Sequence, residues 1–179
     1  NDFELRETFA KILWWDEAAQ CVFSLAAGLH DIGKATLGFQ NKVPELARNF
    51  GIFHEHASLA RRFDHGAYGY EWVEESLNVL ECKALCESHP VLIDSGFMKL
   101  WQAACAHHGT LFYRTPGYSD FFIEPTDLSN EREELIHFLL ETIDNRNHAR
   151  LPDVDAKGIR FFAGFVSVCD WIGSDREKH

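Results

Sequence analysis

The chain has 179 residues, 46% of them hydrophobic, which is enough for one domain with a real core and too few for a second enzyme of ordinary size. Its 28 acidic against 17 basic residues give a net charge of −11, which argues against a domain that grips duplex DNA by charge alone. If the substrate is a nucleic acid, bound metal ions or a neighbouring basic domain must offset the repulsion. No run approaches ~18 uninterrupted apolar residues, so no membrane-spanning helix is expected. The start, Asn1-Asp2-Phe3-Glu4, has neither a basic opening nor an apolar stretch nor an initiator Met. The expectation is a signal peptide absent or already removed, or a fragment. The five cysteines (Cys21, Cys82, Cys86, Cys105, Cys169) are odd in number and lack CxxC spacing. They read as reduced thiols of a cytoplasmic protein.

Taken in chain order, the apolar periodicity is helical. Residues from about 16 to 30 place Ala19, Val22, Phe23, Ala26 and Leu29 on overlapping faces. Asp64 is placed to cap a helix whose inner stripe is Ala67, Tyr70, Val73, Leu77 and Leu80. A third helix is expected from about 97 to 108, with Phe97, Leu100, Trp101, Ala104 and Cys105 on one side. Residues 109 to 128, with Gly, Pro and many aromatics, read as a long loop. Ser129 is placed to cap a fourth helix with Leu135, Phe138, Leu139 and Thr142 inward, and a last helix carries Ile159, Phe162, Ala163 and Val166. The tail from Gly173 reads as the start of a linker. No repeat, low-complexity tract or strand alternation interrupts this pattern, so the expected fold is all-α: a helical bundle with irregular loops.

The anomaly lies in which polar residues continue the apolar stripes. His108 falls eleven residues after Phe97 and Asp170 eleven after Ile159, each on an inward face. His30 and Asp31 follow an equally apolar helix. An ionised carboxylate facing a core costs several kcal/mol (roughly) unless it is paired or metal-bound. Neutral imidazoles and carboxylates are ligands for Mn, Fe, Co, Ni or Zn. His30-Asp31 and His107-His108 each supply two donors from one helix end. Alone, each element has a bland explanation: a His-Asp dipeptide is common, Lys34 is an ordinary solvated lysine, His65-Gly66 simply begins a helix, and Asp170 caps a turn. Their joint order carries the weight.

That order resembles a known family. Ala27-Gly28-Leu29-His30-Asp31-Ile32-Gly33-Lys34 is followed by Phe39-Gln40, Asp64-His65-Gly66, Ala106-His107-His108-Gly109 and Val168-Cys169-Asp170-Trp171-Ile172-Gly173-Ser174. Together, from about residue 20 to residue 174, they are similar to the HD nuclease domain of the CRISPR-associated nuclease-helicase of type I systems, within the HD phosphohydrolase superfamily. The resemblance implies an HD-type bundle over 1–174, with 175–179 opening a linker. It implies a prokaryotic, cytoplasmic enzyme with two divalent transition-metal ions (Mn, Fe, Co or Ni, with Zn as a further option). Asp31 would bridge them, His30 and Asp170 would serve one ion, and His65, His107 and His108 the other. Asp31 and Lys34 would be the catalytic pair, with Lys34 directed at the scissile phosphate or holding the local charge. The implied reaction is endo- and exonucleolytic cleavage of single-stranded DNA in CRISPR interference, by metal-activated water attacking a phosphodiester. The implied partners are the surveillance complex and a helicase domain in cis or in trans. One departure stands out: the family carries another ligand histidine before the His-Asp pair, and the first 29 residues here contain none. The first ion would then be short of a ligand.

Other residues carry less. His54 and His56 flank Glu55 in a polar stretch that reads as surface, and His89, His137, His148 and His179 lack context. Trp14, Trp15 and Trp101 are aromatics of core type, while Phe112 and Tyr113 in the loop are candidates to stack on bases. Two alternative functions share part of the motif set. An HD hydrolase of small nucleotides would need basic phosphate clamps, and a degraded docking module would fit the missing histidine.

Overall fold

In the computed structural model, residues 4, 7, 17–51, 63–76, 87–109, 128–143 and 154–174 are described. Among them the secondary structure is helical throughout, without a strand. The helices are α1 (Glu17–Gly28), α2 (Leu37–Gln40), α3 (Pro44–Asn49), α4 (His65–Ser76), α5 (Ser95–Cys105), α6 (Ser129–Thr142) and α7 (Ala156–Ser174), with 3-10 turns at Leu29–Lys34 and Pro90–Ile93. No described helix is long and apolar enough to cross a membrane. The all-α expectation holds.

The centre of the molecule is α5. It packs against α7, α4, α1 and the turn at 29–34. Its inner residues Phe97, Leu100, Trp101, Ala104 and Cys105 are buried, as their spacing predicts. Asp94 starts it by accepting from the Gly96 and Phe97 amides, satisfying two of the free donors of the first turn. Phe23 of α1 meets Phe162 of α7 edge to face at 5.3 Å. The Trp101 indole donates to the Leu29 carbonyl over 3.1 Å, so a buried aromatic fixes the place where α1 passes into the turn. Trp101 is therefore core and unavailable to bases.

Three boundary expectations change. The third helix ends at Cys105 rather than near 108. Helix α6 begins at Ser129, with Leu128 at the cap position (φ 27°) and no capping side-chain bond. Its inner stripe is Arg132, Ile136 and Leu140, with Leu135 and Leu139 half-buried. Phe138 and Thr142 point outward, because the buried row runs i, i+4, i+8 from Arg132 and Phe138 lies two positions off it. Helix α7 continues through Gly173 and Ser174, so the tail cannot begin at Gly173. Residues 110–127 of the expected loop, Leu77, Leu80, Cys82, Cys86, the His54–His56 group and the segment 175–179 lie outside the described residues.

Candidate metal centre

The site sits where four helix ends meet, and each end is shaped locally by sequence. A 3-10 turn repeats every three residues. Leu29 and Ile32 therefore share its buried side, and His30, Asp31 and Lys34 are left on the others. Gly33 allows the turn to close on α4: a Cβ there would lie 1.9 Å from the His65 carbonyl oxygen. Asp64 caps α4 by accepting from the Gly66 and Ala67 amides at 2.9 and 3.1 Å, which makes His65 the first helical residue. Gly66 brings that turn against the end of α5, since a Cβ there would lie 2.5 Å from the Cys105 carbonyl oxygen.

Beyond Cys105 the chain leaves the helix, and His107 and His108 sit in the turn that Gly109 closes at φ 93°. The helical period stops before them. As a result His107 is the buried member of the pair and His108 the exposed one, the reverse of the inward position expected for His108. On α7, the Ser167 hydroxyl donates to the His107 carbonyl and ties this turn down. One turn later comes Asp170.

The six polar residues converge. Asp31 Oδ2 lies 3.2 Å from His30 Nε2 and 2.5 Å from Lys34 Nζ. Its other oxygen, Oδ1, lies 3.2 Å from His65 Nε2 and 3.9 Å from His107 Nε2. Asp170 Oδ1 is 3.7 Å from His30 Nε2 and accepts from Ser174 Oγ at 3.3 Å. His108 Nε2 and His65 Nε2 are 3.2 Å apart. The donor atoms of His65, His107 and His108 all lie within 4.8 Å of one another, and so do those of His30, Asp31 and His107.

Two ring orientations are fixed from behind. His30 Nδ1 lies 2.7 Å from the Ala27 carbonyl and His107 Nδ1 lies 2.9 Å from the Ala104 carbonyl. A carbonyl only accepts, so each Nδ1 carries the proton and each Nε2 offers its lone pair to the centre. His30 Nε2, His107 Nε2 and Asp31 Oδ1 are buried without hydrogen-bond partners. Orphaned lone pairs are costly unless something else takes them, and divalent cations would take these.

The electrostatics agree with a cation site. Burial raises the Asp31 carboxyl, but the His30 and His65 imidazoles and the Lys34 ammonium beside it outweigh that and hold Asp31 well below the usual carboxylate range. Burial, then His108 and His30 nearby, lower His107 to about 4, so its imidazole is neutral and ready to coordinate. His108 is lowered by burial and by His65. Burial lowers His30 too, but the Asp31 carboxylate, the Ala27 carbonyl and Asp170 outweigh it, so His30 is raised. Cys105, buried beneath the site, has its thiol pushed up by burial and is no thiolate ligand. Cys21 is half-buried and Cys169 exposed, and both are free thiols.

Lys34 is drawn into the centre as the ion-pair partner of Asp31. Phe112 and Tyr113 lie outside the described residues. Three features escaped the sequence reading. Arg132 is buried on α6 and donates to the Ala35 carbonyl at 2.7 Å, at the exit of the turn. Its signal was present: a charge continuing the apolar row of Ile136 and Leu140, the same anomaly that singles out Asp170. Ser167 and the close approach at Gly33 left no such mark, since small residues on a helix or in a turn have many reasons to be there.

A family model described as "Cas3, HD domain" matches residues 2–178. The CRISPR-associated endonuclease/helicase Cas3 of Escherichia coli (strain K12) is 26% identical over 164 residues, which covers 82% of this chain and 18% of that protein. The chain thus spans about a fifth of the length of that curated relative. No solved structure matches. The match over almost the whole chain, on a helical fold whose motif residues meet at one point, makes this chain a member of the Cas3 HD-domain family.

Proposed function

We propose that the chain is a metal-dependent phosphodiesterase domain that cuts single-stranded DNA in CRISPR interference, working beside a helicase and the surveillance complex in a prokaryotic cytoplasm. The observation that carries this reading is the division of Asp31: one oxygen faces His30 and Lys34, the other faces His65 and His107. A carboxylate so divided is suited to bridge two ions. His30 and Asp170 would hold one, and His65, His107 and His108 the other. Divalent ions there would neutralise a phosphodiester and lower the pKa of water to make a nucleophile. The nitrogen-rich donor set suits Mn, Fe, Co or Ni, with Zn as a further candidate.

The chain's own residues supply the rest. Backbone carbonyls of Ala27 and Ala104 keep the two Nε2 lone pairs in place. Lys34 pairs with Asp31, and with a cation held by that carboxylate its ammonium would be free to face the phosphate. The test is incubation with Mn, Co, Ni or Fe(II) and circular single-stranded DNA, alongside a panel of small nucleotides. Linear products from the circle support the reading. Hydrolysis of nucleotides alone assigns a small-molecule hydrolase, and metal binding without any hydrolysis assigns a docking module.

A further inference from the structure

From Ile32 to Pro44 the chain holds two lysines and no carboxylate, in a molecule with 28 acidic residues. This stretch runs directly out of the metal-centre turn. Its geometry is locked by side chains bonding to backbone. Thr36 Oγ1 donates to the Gly33 carbonyl at 2.8 Å and accepts from the Phe39 amide at 3.2 Å. Gln40 Nε2 donates to the Lys34 carbonyl at 2.8 Å, and Asn41 Nδ2 to the Leu37 carbonyl at 2.8 Å. The outcome is a rigid shelf carrying Phe39.

The Phe39 ring is half-buried, with an imidazole and two ammonium groups near it. The His65 ring meets it edge to face at 5.2 Å. Lys42 Nζ lies 4.9 Å from its centroid and Lys34 Nζ 6.0 Å from it. Lys42 is exposed, and its ammonium has no carboxylate from its own segment to satisfy it. An aromatic ring with two ammonium groups near it, touching a candidate metal ligand, combines the two elements that single-strand binders use: a charge that follows the backbone and a ring on which a nucleotide rests.

We propose that Phe39 and Lys42 form a strand-binding rim of the metal centre. Lys42 would take the phosphate adjoining the scissile one, and Phe39 would carry the intervening sugar or base. The ligand class is a single-stranded polynucleotide. The inference rests on the phosphodiesterase reading of the centre, and it answers the charge problem posed by a net −11: local positive charge at the site offsets a repulsive whole. Asp31 and Glu45 are the acidic residues that flank the rim along the chain, and Asp31 is already engaged by Lys34.

The experiment uses the whole chain, loaded with Mn. Binding is read by anisotropy of a labelled phosphorothioate thymidine oligonucleotide, turnover on the ordinary oligonucleotide, and metal affinity by calorimetry. Lys42→Gln should raise KM about fivefold with kcat retained, and flatten the salt dependence of binding by ~0.7, the share of one phosphate contact on a single strand. Phe39→Leu should weaken binding roughly tenfold, while Phe39→Tyr and Lys42→Arg restore it. All variants should bind metal like the parent chain. Unchanged affinity and salt slope in Lys42→Gln overturns the rim. So does a loss of metal affinity in Phe39→Leu that matches its loss of DNA binding, because Phe39 would then only pack His65. A parent chain that binds the oligonucleotide without cutting it refutes the nuclease reading and leaves the rim to be judged by binding alone. A metal-loaded parent chain that fails to bind it overturns the rim itself.

Discussion

The two sides of the candidate centre are built differently. On one side His65, His107 and His108 come from the start of α4 and the turn after α5, and all three are nitrogen donors. On the other, His30 and Asp170 come from the 29–34 turn and from α7, and mix one nitrogen with one carboxylate. Asp31 stands between them. On the first side three imidazole donors lie within 4.8 Å of one another, and the buried His107 is held neutral. The second is poorer in donors, and its histidine is held toward the protonated form by two carboxylates. A centre made this way should load unequally.

The sharpest way to break that picture is to remove the shared group. Asp31→Ala should take cleavage to background, at least roughly 100-fold below His65→Ala in saturating metal, because a bridge serves both ions and a terminal ligand only one. Equal and mild losses in the two variants would dissolve the two-sided description. Next in size is the scaffold beneath it. Gly33→Ala drives a methyl to within 1.9 Å of the His65 carbonyl, so the turn must move off α4. A loss of about 3 kcal/mol in urea unfolding is expected, with both metal sides weakened together. An unaltered metal titration in this variant would show that the two sides do not depend on that close approach.

Smaller changes sharpen the asymmetry. Calorimetric titration should resolve a tight ion and a weaker one. His108→Ala should lower the affinity of the tight ion, and Asp170→Asn that of the weak ion, each by about tenfold or more. Acid should act on one side first. His30 is raised, so as pH falls through its pKa a proton occupies the lone pair that an ion needs, and affinity there falls. His107, at about 4, stays neutral across the same range and contributes no such loss. Proton release on metal binding, measured in buffers of different ionisation heat near pH 6.5, should therefore be smaller in His30→Gln than in the parent chain, while the His107 side still binds. The effect on the centre itself is mildest at Arg132→Met, where the loss falls on stability. The substitution removes a charge-assisted bond to the Ala35 carbonyl, costing about 1.5–3 kcal/mol of stability, and loosens the exit of the turn without touching a ligand.

Much of this was legible in the sequence, for identifiable reasons. Helix α5 could be read because its buried residues recur at the helical period from Phe97 to Cys105. Asp170 stood out because a carboxylate on the row of Phe162 and Val166 has no apolar explanation. The same logic failed at His108: periodicity extrapolates only while the helix lasts, and Ala106 ends it. It failed at Phe138 because two apolar rows on α6 compete, and the buried row is decided by what lies opposite.

By itself, then, the sequence determined the helical class, the capping of α4 by Asp64 and the set of residues that have no place in a core. Tertiary structure decided which atom of each residue faces which neighbour. The pairing of Asp31 Oδ1 with His65 and Oδ2 with His30, the burial of His107 rather than His108, and the anchoring of the turn by Arg132 across 97 residues of chain all depend on it. The physical reason is range: helical period and capping are set within a few residues, whereas a shared centre forms only where separate helix ends pack close enough, at Gly33 and Gly66, for their lone pairs to meet.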